Sequence, residues 1–189
     1  MKKPGITIDI PGFGKIQIHA ILSDYTGTLA LSGKLVAGVK DRLLRLAELV
    51  DIHVVSADSF GTAQEELKGL PIVWRRLEGE SEDVQKQRYA VGLNPRNVAA
   101  FGNGNNDRLH LKVVKEAGGL AIAVENGEGC ALGAILAANI FVVGAVNAFD
   151  LLLSRPGSEQ RCAFKHARLR LRDFSLSGGL GFLEGRVYC

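Results

Sequence analysis

Five short, almost wholly apolar runs constrain this chain most. They are Ala20-Ile21-Leu22, Ile52–Val55, Val98–Phe101, Leu120–Val124 and Ile140–Val143. Each is too short for a buried helix, and each carries apolar side chains on both faces. Strands of that kind belong to a parallel sheet covered on both sides. Segments with helical spacing separate them. Val39, Leu43, Leu46, Ala47 and Val50 mark an amphipathic helix over 39–50. Further helices are expected at 59–67, at 81–91 with Ser81 as N-cap, at 107–117, at 130–137 and at 146–153. A strand is expected at 71–74. Strands alternating with helices predict an α/β chain: a three-layer, Rossmann-like parallel sheet with helices on both faces.

Ahead of this pattern, Ile6–Ile10 and Lys15–His19 alternate with period two around Pro11-Gly12-Phe13-Gly14. That is a β-hairpin signal. The second arm can run on into Ala20-Ile21-Leu22 as the first core strand. Residues 1–153 are read as one core domain, with the hairpin in 1–19. Residues 154–189 are a basic extension with seven Lys or Arg and three Asp or Glu. That extension is expected to be solvated and poorly ordered. A basic tail can also bind nucleic acid, but aromatics are only 6% and Trp74 is the single tryptophan, so base stacking is disfavoured. Nucleic acid is therefore not expected as a partner.

From Gly129 to Phe149 no residue is charged. The stretch divides into helix, strand and helix around Asn139 and Gly144, so it reads as soluble core and not as a membrane span. Cys130, Cys162 and Cys189 are too few and too scattered for a disulfide framework or a zinc site. No signal-peptide pattern opens the sequence, and a reducing cytoplasm is the expected location. His19, His53, His110 and His166 show no metal-ligand spacing and read as structural.

In parallel sheets chemistry sits at the carboxyl ends of the strands. Polar clusters follow three of them: Asp24-Tyr25-Thr26-Gly27-Thr28, Ser56-Ala57-Asp58 and Gly102-Asn103-Gly104-Asn105-Asn106-Asp107. Asp24 stands beside a glycine turn whose amides suit a phosphate. Thr26 and Thr28 add hydroxyls, Ser56 marks a second anion position, and Lys86 can supply a fixed positive charge. Asp107 could join Asp24 around Mg²⁺, which takes a few carboxylates together with waters and phosphate oxygens. Asp58 reads as a local cap or turn residue. Together these residues point to phosphoryl transfer.

Asp24-Tyr25-Thr26-Gly27-Thr28-Leu29 resembles the first motif of haloacid dehalogenase-like phosphohydrolases, in the form seen in P-type ATPases. Val55–Ala63 resembles the second motif, Lys86 the third and Phe101–Asp107 the fourth. The pattern is most similar to small soluble P-type-ATPase-like phosphatases and covers about residues 5–153. The resemblance implies Asp24 as the nucleophile that forms an aspartyl-phosphate. It implies Ser56, Ala57, Thr28 and Lys86 around the phosphoryl group. It places Mg²⁺ on Asp24, the Thr26 carbonyl, Asn103 and Asp107.

Two positions depart from the pattern. Thr26 stands where such phosphatases carry a second Asp as acid and base, and Asn103 stands where Asp is usual. Acid–base help is worth roughly 10²–10⁴-fold, so slow turnover, a long-lived phosphoenzyme or a substrate with a good leaving group is expected. The alternative is a phosphoryl-binding or regulatory module with little turnover. Only 31 residues separate Asp24 from Ser56 and 29 separate Ser56 from Lys86, which leaves no room for a cap domain. A capless site is expected to be open to solvent, and the resemblance implies either a homo-oligomer in which a neighbour covers the site or action on bulky substrates; a homo-oligomer is expected, with a small phosphorylated substrate or a nucleotide as ligand.

Overall fold

A computed structural model describes residues 3–10, 14–79 and 81–154. The extension expected over 154–189 therefore lies outside the described residues from 155 onward, as do Pro11-Gly12-Phe13, Cys162, His166 and Cys189.

The core is a six-stranded, fully parallel sheet. In chain order its strands are β3 (Ala20–Ser23), β6 (Asp51–Ser56), β7 (Val73–Arg76), β8 (Val98–Gly102), β9 (Leu120–Glu125) and β10 (Ile140–Val143). Their spatial order is β10-β9-β8-β3-β6-β7, so β3 is central. The hairpin forms as expected from β1 (Ile6–Ile10) and β2 (Gly14–Ile18), with Ile6 opposite Ile18. Its buried isoleucines, Ile6, Ile10, Ile16 and Ile18, join the core and its polar residues face outward.

Successive strand residues serve opposite faces. Ile21, Ala99, Phe101, Ile122 and Val124 pack under α1 (Val39–Ala47), α6 (Ala145–Leu153) and the hairpin. The Phe101 and Phe149 ring centroids lie 4.9 Å apart. Leu22, Ala100, Ala121 and Ala123 pack under α3 (Glu82–Gly92), α4 (Arg108–Glu116) and α5 (Leu132–Ala137). This second face is built largely of alanine, including Ala90, Ala134 and Ala137, which lets helices approach the sheet closely. Burying each large side chain contributes roughly 1.5–3 kcal/mol.

Three expected elements differ. The second hairpin arm does not continue into β3, because the chain bends at His19 between them. The helix expected over 59–67 is only α2 (Ala63–Glu66), since Asp58 and Gly61 take positive φ and hold 57–62 as a loop. Ser81 precedes α3 but sits at φ 65 and makes no side-chain capping bond. One small element was not expected: β4 (Ala30–Leu31) and β5 (Lys34–Leu35) form a flap after the β3 loop. Its turn residues Ser32 (φ 50) and Gly33 (φ 78) are both left-handed, as a two-residue hairpin turn needs. Among the described residues no further domain interrupts the sheet, and no helix is long and apolar enough to cross a membrane.

Candidate active site

The site gathers where the central strands end. The register sets Ser23 beside Val54 of β6 and Phe101 of β8, so Asp24 is the first residue past the sheet. Its N–H donates to the Phe101 carbonyl at 3.1 Å, which pins the turn to β8. The Tyr25 carbonyl then accepts from the amides of Leu29 and Ala30, curling the loop tightly. Gly27 takes φ 73 at its apex, and a Cβ there would meet the Asn103 side-chain amide nitrogen at 2.3 Å. Only glycine fits.

Lys86, on the second turn of α3, reaches the strand ends. Its ammonium donates to Asp24 Oδ1 at 2.8 Å and to Asp107 Oδ1 at 2.7 Å. All three are buried, with exposures of 3% for Asp24, 1% for Lys86 and 0% for Asp107. Burial disfavours the charged form of each, and their mutual attraction opposes it. The balance differs by residue. Burial pushes the Asp24 carboxyl up to about 6; Asp107 adds to this, while Lys86 and Ser56 oppose it. Burial also acts against ionised Asp107, but the charge and hydrogen bond of Lys86 and the Gly104 amide outweigh it and hold Asp107 below the usual carboxylate range. Burial alone would lower Lys86, yet the two carboxylates hold it above the usual lysine range.

Backbone amides add to the effect of Lys86 on Asp107. Asp107 Oδ2 accepts from the N–H groups of Asn103 and Gly104, both at 2.9 Å. Asp107 thus clamps the 102–107 loop and anchors Lys86. Behind it lies His110, whose Nδ1 is 3.8 Å from Asp107 Oδ1 and whose Nε2 is 3.3 Å from the Phe101 carbonyl. Burial pushes the His110 imidazole down to about 4, so it is neutral near pH 7.

The remaining predicted residues lie around this triad. Asn103 Oδ1 accepts from the Thr28 hydroxyl at 3.2 Å, and Thr28 is fully buried. The Thr26 hydroxyl is buried without a hydrogen-bond partner. Ser56 ends β6 beside Asp24; it is not a helix cap, since α2 begins seven residues later. Ala57 follows it in the loop and is half-buried. Asp58 is a cap, as expected: its Oδ1 accepts from the amides of Thr62 and Ala63.

A hard cation suits this donor set. The site offers two aspartates, one asparagine oxygen and the backbone carbonyl of a loop with an orphaned hydroxyl. Among the described residues no group of three or more His, Cys, Asp or Glu could hold a metal unaided. Zinc needs such a set, whereas Mg²⁺ is satisfied by one or two carboxylates with waters and phosphate oxygens.

The flap that follows the nucleophile loop is tied on both sides. The Ser32 N–H donates to Glu128 Oε1 at 2.6 Å, and the Leu35 N–H donates to Glu66 Oε2 at 3.0 Å. The Gly33 carbonyl accepts from the Tyr25 and Thr62 hydroxyls. Asp24, Lys86 and Asp107 are buried although no cap domain interrupts the described residues. Glu128 was not legible as a site residue, since it lies 96 residues from the Ser32 amide it accepts from, and His110, three residues after Asp107, gave no sign of its contact beyond helical spacing. Ser32-Gly33 between Ala30-Leu31 and Lys34-Leu35 was the available signal for the flap.

The architecture matches known proteins. A 3-deoxy-D-manno-octulosonate 8-phosphate phosphatase from Moraxella catarrhalis, solved with magnesium, phosphate and its sugar acid, superposes with a TM-score of 0.54 at 18% identity, over 72% of this chain and 86% of that one. A cobalt-bound deoxy-D-mannose-octulosonate 8-phosphate phosphatase from Haemophilus influenzae gives 0.51 at 16%, over 71% and 84%. A haloacid dehalogenase-like hydrolase from Streptococcus pneumoniae gives 0.51 at 14%, over 70% and 97%. In sequence, an uncharacterised protein of Methanocaldococcus jannaschii is 49% identical over 39 residues, 21% of this chain and 89% of that protein. No protein-family model matches the chain.

Proposed function

The chain has a haloacid dehalogenase-like fold, and on that premise we propose that it is a Mg²⁺-dependent phosphohydrolase working through Asp24. The observation that carries this reading is the buried Asp24–Lys86–Asp107 arrangement at the end of the central strand. Lys86 holds one Asp24 oxygen, so the carboxylate is fixed for attack by the other. That oxygen bonds to phosphorus, the bond to the leaving oxygen breaks, and the leaving oxygen takes a proton from solvent. Water then attacks the aspartyl-phosphate phosphorus, losing a proton, and releases phosphate with Asp24 regenerated. Lys86 and the Ser56 hydroxyl offset charge on the phosphoryl oxygens. Asp24, the Thr26 carbonyl, Asn103 and Asp107 would hold Mg²⁺, which when bound supplies the positive charge that makes an anion accessible to a carboxylate. Asp107 also acts through Lys86 and the 103–104 amides.

Thr26 cannot exchange protons as a carboxylate does, so turnover is slow. The P-type-ATPase-like assignment rests on Asp24–Leu29 and on that threonine. The residues exposed on α5 and β10, Leu132, Leu136, Phe141 and Val143, support self-association, which light scattering of the full chain tests. Cytoplasmic action belongs to the same reading.

The test is hydrolysis of an aryl phosphate with Mg²⁺, with EDTA and with Asp24→Asn, alongside acid-quenched trapping of labelled phosphate on the protein. Turnover by Asp24→Asn would remove the mechanism. A second reading, a phosphoryl-binding module with little turnover, is favoured by Thr26 and Asn103. It predicts beryllium fluoride binding without multiple turnovers.

A further inference from the structure

We infer that Glu128 is a positioning residue of the site: its carboxylate, together with the Gly129 carbonyl, faces the nitrogen of the Asn103 side chain and so turns that side chain's one oxygen toward the nucleophile loop. The inference rests on the phosphohydrolase reading above, in which Asn103 helps to hold Mg²⁺.

An asparagine at this position has a need that an aspartate lacks. A carboxylate presents an oxygen whichever way it turns. A carboxamide has one oxygen and one NH₂ group, and only the oxygen can face a cation. Asn103 therefore serves in one of its two orientations, and its neighbours set which. On the oxygen side, the hydroxyl of Thr28, in the loop that carries Asp24, donates to Oδ1 at 3.2 Å. On the nitrogen side stand acceptors. Nδ2 donates to the Gly129 carbonyl in a long bond of 3.4 Å. The same nitrogen and Glu128 Oε2 converge over Gly27: a Cβ on that glycine would touch the Asn103 nitrogen and lie 3.1 Å from Glu128 Oε2. Turning the amide over would set its oxygen against a carbonyl and a carboxylate, which accept and cannot donate.

Glu128 is itself held in place. Its Oε1 accepts from the Ser32 N–H of the flap at 2.6 Å, which leaves Oε2 for the Asn103 side. Glu125 folds the loop, with Oε1 accepting from the Gly127 and Gly129 N–H groups at 2.6 and 3.3 Å. Both glycines take left-handed φ, 96 and 85, which other residues resist. The Ala131 N–H donates to the Asn103 carbonyl at 2.7 Å, so this segment fixes the main chain of Asn103 as well as its side chain.

The experiment is a double-mutant cycle on the full chain, with Mg²⁺ affinity read by calorimetric titration. Glu128→Ala should weaken Mg²⁺ binding by about ten- to hundredfold, the usual cost of losing a group that orients a metal ligand. With Asn103→Asp also present, the same substitution should cost less than about threefold, because a carboxylate needs no orienting. Glu128→Gln keeps the side chain's length and an oxygen for Ser32. It should show the same pattern with a smaller loss, so the cycle does not depend on one variant folding. In the metal-free protein, nitrogen relaxation of the Asn103 side-chain NH₂ should show an ordered group in wild type and a mobile one in Glu128→Ala. Equal losses with and without Asn103→Asp would mean that Glu128 acts only as a charge or as a tie on the flap. That result, or an Asn103 amide equally ordered in both proteins, would overturn the inference and leave the hydrolase reading standing. Absence of both Mg²⁺ binding and aryl phosphate turnover in the wild type would overturn both.

Discussion

Asp24 and Asp107 share a single ammonium, with Lys86 Nζ 2.8 Å from one carboxylate and 2.7 Å from the other. The near-equal distances hide an unequal partnership. Asp107 is also held by two backbone amides and stays ionised, whereas burial leaves Asp24 close to the point of taking a proton. The carboxylate less tied to the scaffold is the one placed to react.

Removing the ammonium should be costly. Lys86→Met leaves two like charges buried without their counter-ion, and breaking a buried pair costs about 3–5 kcal/mol. Urea denaturation should show that loss at pH 7. Adding Asp107→Asn to Lys86→Met should recover part of it.

The Asp24 carboxyl should titrate near pH 6 in the metal-free protein, read by carbon NMR of the labelled carboxyl. Mg²⁺ should shift it downward, because a cation favours the ionised form. A folded pKa above the unfolded value near 3.8 means the folded state holds the proton longer. Stability from this group is therefore present below about pH 4 and is lost as pH rises through 6. Asp24→Asn should accordingly gain on the order of 2–3 kcal/mol relative to wild type between pH 4 and 7 while losing all turnover.

His110 runs the other way. Its folded pKa of about 4 lies below the unfolded 6.5, so the unfolded chain binds the proton first and stability falls with pH from about 6.5 to 4. In His110→Gln that contribution, about 3 kcal/mol at most, should vanish. Denaturation midpoints measured across this window check it; an unchanged difference between the variant and wild type would contradict it.

Thr26→Asp should accelerate hydrolysis of a poor leaving group by at least tenfold, since it restores proton transfer worth roughly 10²–10⁴-fold. Aryl phosphates with acidic phenols should gain less. A flat response across leaving-group pKa would show that proton transfer is not limiting.

Gly27→Ala should fold but weaken Mg²⁺ binding. The added methyl meets the Asn103 amide at 2.3 Å and sits at a φ of 73 that alanine resists at about 1 kcal/mol or more. Calorimetric titration of Mg²⁺ should show lower affinity, with aryl phosphate turnover falling in parallel.

Local chemistry determined much of this protein. The period of apolar residues specified the βα alternation, because strands buried on both faces must be apolar throughout. The turn-forming and polar residues after β3, β6 and β8 marked Asp24, Ser56 and Asp107, since strand ends are where backbone amides and side chains converge. What tertiary structure alone decided depends on distance in space between residues remote in the chain. Lys86 was placed at the site by its motif, but that its one ammonium bridges Asp24, 62 residues away, and Asp107 is a tertiary fact, and Glu128 reaches Ser32 across 96 residues. Burial of the triad, which acts against the charged form of each member, follows from the packing of segments remote in the chain. Desolvation is a property of the surrounding volume, and a linear pattern of residue types carries no measure of it.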